Sequence, residues 1–173
     1  MNMHRNSLAC VVVDMQKFFL QNLTKENRER IVPNQIKVVD LCIKNKIPVI
    51  VLEYKGRGET IGVLKNRLKK VQNNVTIVKE CNSGFRNTNL HNFLTEKKIK
   101  NLFIMGINAS GCVQDTAIGA LHRGYKIVTA STVIASASVR DRKLATSRKW
   151  FSKKGKYFES MEPVFRYLTN NSR

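Results

Sequence analysis

The chain has 173 residues, enough for one compact domain with a full hydrophobic core and too few for two comfortable ones. Apolar residues make up 42% and spread evenly, with three prolines and no low-complexity run, which argues against extended disorder. The 31 basic against 12 acidic residues give a formal charge of +19, but the cations are scattered. They predict a solvated basic face that steers anionic substrates, rather than a dedicated nucleic-acid site.

The first apolar run, Leu8 to Val13, is unbroken, as a parallel strand covered on both faces requires. It runs straight into Asp14, so the N-terminus does not read as a signal peptide, and no later stretch approaches the length of a membrane span. Similar runs follow at Ile47 to Leu52, Val75 to Val78, Leu102 to Met105 and Lys126 to Thr129, with a weaker one at Lys156 to Phe158. Helical patterns lie between them, at Val32 to Asn45, Thr60 to Lys70, Asn89 to Glu96, Val113 to Arg123 and Asp141 to Phe151. Strand-helix alternation predicts an α/β fold in three layers: a Rossmann-like parallel sheet of five or six strands with helices on both faces, forming a single domain over residues 1–173. The segment from Met161 onward is assigned no element.

In such a sheet the ligand crevice lies beyond the carboxyl ends of the strands. Asp14 follows the first strand, Glu53 and Tyr54 the second, Lys79 the third, and the turn Gly106 to Gly111 leads from the fourth to Cys112. An acid, an amine and a thiol therefore converge on one edge. Asp14 reads as a general base or, equally, as a helix N-cap. Lys79 taken singly reads as a surface amine, but beside Asp14 and a thiol it would hold the carboxylate ionised and steady developing negative charge. Cys112 opens a helix, where the dipole favours a thiolate, and the turn before it can aim backbone N–H groups at a carbonyl oxygen.

Cys10 and Cys42 read as small buried residues, and the four cysteines form no paired motif, so neither a disulfide framework nor a zinc site is suggested and a reducing cytoplasm is expected. His4, His91 and His122 fall away from the strand ends, which disfavours a Cys-His hydrolase. No phosphate-binding glycine loop occurs, and no cofactor is expected.

Three ordered motifs resemble the isochorismatase-like cysteine hydrolases, a family that includes nicotinamidases and N-carbamoylsarcosine amidohydrolases. Asp14-Met15-Gln16-Lys17-Phe18-Phe19 resembles its D-x-Q-x-x-F; Lys79 with Ser83, Phe85, Thr88 and Leu90 resembles its K-x-x-x-S-x-F-x-x-T-x-L; Gly106 to Val113 resembles its G-x-x-x-x-x-C-V turn. The resemblance implies a catalytic triad of Asp14, Lys79 and Cys112 and a cis peptide between Ile107 and Asn108. It also implies an oxyanion hole from the Asn108 and Cys112 N–H groups. Phe19, with Glu53, Tyr54 and Phe85, is expected to line the substrate pocket. In the implied reaction Cys112 attacks a small amide, ureide or related C–N substrate and forms a thioester that water hydrolyses.

Nicotinamidases of the family carry a D-x-H metal pair after the second strand, where this chain reads Glu53 to Thr60, so no metal is expected. Ser131-Thr132 stands where many members have an acidic residue after the fifth strand. Members that hydrolyse the vinyl ether of isochorismate can lack the cysteine, so Cys112 favours covalent C–N chemistry, with the vinyl ether reaction as an alternative. Further alternatives are a noncatalytic binding protein on the same scaffold, using its basic surface, and a redox protein pairing Cys81 with Cys112. The expected partners are a small-molecule substrate and further copies of the chain, as dimer or tetramer, with no membrane and no nucleic acid.

Overall fold

The computed structural model describes residues 7–137 and 145–172. Seven parallel strands form one sheet: β1 (Leu8–Val13), β2 (Val49–Tyr54), β3 (Asn74–Lys79), β4 (Asn101–Ile107), β5 (Lys126–Ala130), β6 (Ile134–Ala135) and β7 (Lys156–Phe158). The spatial order is β3-β2-β1-β4-β5-β7, with the short β6 paired to β4 beyond the end of β5. Helices flank the sheet: α1 (Lys17–Leu20), α2 (Lys25–Lys44), α3 (Gly62–Leu68), α4 (Leu90–Glu96), α5 (Gln114–Leu121), α6 (Ala145–Lys154) and α7 (Met161–Asn170). Among the described residues no helix is long and apolar enough to cross a membrane.

The six expected strands are all present, and only the two-residue β6 is additional. Every residue of β1 is buried, and β4 is buried from Leu102 onward, so their continuous apolar runs are the centre of the core. At the edge, β3 alternates instead: Val78 is exposed while Ile77 and Lys79 face inward. β2 starts at Val49 rather than Ile47, because Pro48 has no N–H for the ladder and contributes only its carbonyl, to Cys10 N. The ladder with β3 runs on to the pair Tyr54–Lys79, so Glu53 and Tyr54 are the last residues of the strand rather than the first beyond it.

The helices differ more from expectation. α2 begins at Lys25, seven residues before Val32, because Thr24 caps it by accepting a hydrogen bond from Asn27 N (3.2 Å) and the helix runs through Pro33. α7 had no expected counterpart; it buries Val164 and Leu168 and packs on α2. Of the expected helix Asp141 to Phe151, residues 141–144 lie outside the described residues, as does His4. Cys10 and Cys42 are both fully buried, as expected, and their mutual hydrogen bond together with burial pushes the Cys10 thiol well above its ordinary pKa.

Neighbouring β1 and β4 carry the chain out of the sheet in opposite directions, toward β2 on one side and β5 on the other. This is the topological switch point of the sheet, where such folds open their crevice. The two strands meet there very closely. Val13 is in register with Gly106, whose φ is +137°, and a Cβ at that glycine would lie 2.1 Å from Val13 O.

Candidate active site

Three segments enter the crevice from three strands. Asp14 follows β1 with φ of +51° and donates its N–H to Leu52 O (3.0 Å), so its side chain is fixed by the β1–β2 ladder. Lys79 ends β3 and reaches inward because it shares the buried face with Ile77. Cys112 lies in a π turn, Ala109–Val113, between β4 and α5, and Asn108 O closes the turn by accepting from Gly111 N (3.0 Å) and Val113 N (3.1 Å). The Ile107–Asn108 peptide that leads into the turn is cis, and Asn108 Oδ1 accepts from Ala137 N (3.0 Å), tying the turn to the chain after β6. Cys112 thus stands just ahead of α5, whose first residue is Gln114 rather than Val113.

Asp14 and Lys79 form an ion pair, Nζ to Oδ2 2.9 Å, with both side chains essentially without exposure. Nζ also donates to Cys81 O at 3.1 Å. The second carboxylate oxygen, Asp14 Oδ1, is buried and has no hydrogen-bond partner among the described residues. Cys112 is 6% exposed; its thiol donates to Asn82 Oδ1 over 3.7 Å and lies close enough to Asp14 for each group to shift the other's pKa.

Burial pushes the Asp14 carboxyl above its ordinary value of 3.8; Lys79 and the thiol pull it back, and the charge of Glu53 adds a smaller upward push. The Cys112 thiol is pushed up to about 12, first by burial and then by the Asp14 charge, with Lys79 only partly offsetting them. The direction is opposite to the one that the helix start and Lys79 alone would give. An anion beside a desolvated thiol outweighs one ammonium and the start of a short helix, so the sulfur keeps its proton until a base removes it.

The expected pocket residues divide into two groups. Phe19 is half-buried, its ring 6.2 Å from that of Tyr54, and Tyr54 lies over Lys79 Nζ at 4.3 Å, so both border the triad. Glu53 is near enough to influence Asp14, but its Oε1 accepts from Thr60 N (2.6 Å) and Thr60 Oγ1 (2.8 Å). Phe85 lines a cavity with Cys81 and Asn82. Its ring stacks on Tyr125 (5.8 Å), carries Arg123 on its face and packs against Gly119 of α5, because the loop after β3 folds down onto that helix.

Two contributors were missed in the sequence. Gln16 is fully buried and clamps the end of β2: Oε1 accepts from Tyr54 N (2.8 Å), and Nε2 donates to Tyr54 O (3.0 Å) and Gly58 O. Its place in the D-x-Q motif was the available signal. Asn82, the partner of the Cys112 thiol, sits in an ordinary-looking Asn-Ser-Gly loop and carries no local signal.

The segment after β2 does not supply the donors that a nicotinamidase-type metal needs. Glu53 is held by Thr60, Glu59 pairs with Lys65, and Lys55 and Arg57 are cations. Among the described residues no three His, Cys, Asp or Glu side chains cluster. His91 is bound to Tyr125 OH (2.9 Å) and His122 is exposed on the rim of the cavity beside α5, so neither stands with the triad.

Residues 8–149 match the isochorismatase domain family. The chain is 25% identical to isochorismatase family protein 1A of Dictyostelium discoideum over 178 residues, covering 99% of this chain and 83% of that protein. Among solved structures, a MAR1 ribonuclease from Caenorhabditis elegans matches with a TM-score of 0.81 and 26% identity, covering 98% of this chain and 85% of the other. The nicotinamidase SaPncA from Staphylococcus aureus matches with a TM-score of 0.77 and 21% identity, covering 90% and 99%. With the family match spanning most of the sheet and its crevice, this chain belongs to the isochorismatase-like hydrolase family.

Proposed function

We propose that the protein hydrolyses a small amide, ureide or related C–N substrate through a thioester on Cys112. The observation that carries this reading is the buried Asp14–Lys79 pair, with one carboxylate oxygen unpartnered and the Cys112 thiol near enough to interact with the carboxyl. Asp14 takes the thiol proton as Sγ attacks the substrate carbonyl carbon, and the oxyanion is received by the N–H groups of Asn108 and Cys112. On collapse, Asp14 returns the proton to the departing nitrogen, leaving the thioester. Water then attacks it, Asp14 accepting the water's proton and returning it to sulfur. Lys79 keeps Asp14 ionised while the site is dry, and Phe19 and Tyr54 wall the pocket with Glu53 at its border. A panel of small amides, ureides and isochorismate, assayed for ammonia or product release with Cys112→Ala as control, tests the reading. Turnover of a C–N substrate that survives in Cys112→Ala, or turnover of isochorismate alone, would refute it.

A second reading, a nucleic-acid ligand on the basic surface, is favoured by one arrangement. Arg123 borders two cavities, of about 610 Å³ with Arg86 and His122 and about 430 Å³ with His91, Lys98 and Lys100. None of these lysines and arginines is in an ion pair among the described residues, and the similar C. elegans protein is named a ribonuclease. On this reading single-stranded RNA binds with steep salt dependence, Arg123→Ala weakens it, and Cys112→Ala leaves binding intact. Salt-insensitive or undetectable binding removes it.

A further inference from the structure

Lys79 is an ammonium with no access to water, and such a group needs a partner in each direction its N–H bonds point. Asp14 Oδ2 and Cys81 O receive two of them. The ring of Tyr54 covers the ammonium at 4.3 Å, presenting the negative face of its π system where solvent would otherwise be. The approach follows from the ladder: Tyr54 and Lys79 are register partners in the β2–β3 pair, so their side chains stand next to each other. Tyr54 is also held at every polar atom. Its N–H and carbonyl are clamped by Gln16, and its hydroxyl donates to Glu80 O at 2.9 Å, one residue beyond Lys79.

We propose that Tyr54 is a positioning residue for the reaction: its ring caps the Lys79 ammonium and, through Lys79, holds Asp14 as the carboxylate that accepts the Cys112 proton. The proposal deepens the cysteine-hydrolase reading above and rests on it. The other titratable groups facing the pair are Cys112 from the π turn and Glu53 from β2; Cys81, in the loop after β3, meets Lys79 through its carbonyl, while Lys55 and Glu80 pair with each other at the surface. Of these, the Cys112 sulfur also interacts with the ammonium, and the aromatic ring over Nζ is that of Tyr54. Weakening the ring's hold on Lys79 weakens its hold on the ionised carboxylate, and Asp14 then ionises at higher pH.

The test needs no substrate. Iodoacetamide alkylation of Cys112 is followed by mass spectrometry across pH, and the acid limb of the rate profile reports ionisation of the base. The chains compared are wild type, Tyr54→Phe, Tyr54→Leu, and chains with mono-, di- or trifluorophenylalanine at position 54, which keep the ring's shape while draining its π face. Tyr54→Phe is expected to keep the wild-type limb, and Tyr54→Leu to move it upward by about one pH unit. The fluorinated series should move it in steps between those two.

An unmoved limb in Tyr54→Leu, with rates lowered equally at all pH values, overturns the proposal. So do fluorinated rings that all behave as Phe, and that series decides the matter alone if the Leu variant fails to fold. Asp14→Asn separates the two levels. A limb that persists in that variant removes Asp14 from the base role and the hydrolase reading with it. A limb that vanishes there but does not move in the Tyr54 series removes the Tyr54 proposal only.

Discussion

Replacing Lys79 by Met removes the buried ammonium while keeping an unbranched chain of similar reach, and it strands Asp14 in a site with no exposure. Were the carboxylate to stay ionised, the loss would be about 3–5 kcal/mol. Protonation is the alternative. Neutralising a carboxyl of ordinary pKa at pH 7 costs about 1.4 kcal/mol for each of roughly three pH units, about 4 kcal/mol in all. Asp14 starts from a raised pKa, which lowers that ceiling, so about 3 kcal/mol is expected at pH 7.

The sign of the pH dependence follows from the direction of the shift. A carboxyl whose folded pKa lies above its unfolded value contributes stability below the unfolded pKa, and that contribution is lost as pH rises through the folded one. The deficit of Lys79→Met should therefore shrink by about 1.4 kcal/mol per pH unit on acidification and be small near pH 5. Urea unfolding of both proteins at pH 5 and pH 7 measures it, and in thermal unfolding a deficit of this size lowers Tm by about 6–12 °C at pH 7. Adding Asp14→Asn should recover most of the loss, since no unpaired charge then remains. An equal deficit at both pH values, with no recovery in the double variant, would show that packing rather than charge is what Lys79 provides.

Gln16→Leu leaves Tyr54 N and Gly58 O without their partner and Tyr54 O with Arg57 N alone, and should cost about 2–3 kcal/mol in denaturant unfolding while slowing Cys112 alkylation. Gly106→Ala drives a methyl into Val13 O at a backbone angle that L residues rarely adopt; a loss of more than about 4 kcal/mol, seen as an unfolded circular dichroism spectrum, is expected. The Cys112 thiol, at about 12 in the fold against an ordinary 9.0, contributes stability that is complete below pH 9 and lost as pH rises toward 12. Cys112→Ala should accordingly flatten the alkaline fall of Tm, leaving the part that arises from the other upward-shifted groups, Cys10 and Tyr167.

Much of the frame was legible because its signals are local. Unbroken apolar runs mark strands covered on both faces, and the polar residue that ends each run marks the crevice, which is how Asp14, Lys79 and Cys112 could be read from one edge of a sheet. The front half of α2 escaped because Pro33 is a local stop signal, overridden by the Thr24 cap and by packing against α3 and α7. Phe85 was placed by its motif position, and its neighbours on α5 and around the cavity it lines with Asn82 are set by how the loop after β3 lies on that helix.

The sequence by itself determined the parallel α/β architecture and the three side chains that converge at the switch point, since periodicity and strand-end position are properties of consecutive residues. Only the tertiary structure decided that Tyr54 lies on Lys79, that Gln16 clamps the strand beside it, and that burial and the Asp14 charge push the Cys112 thiol up. Each of these depends on strand order, ladder register or the removal of water, quantities that arise between segments distant in the chain.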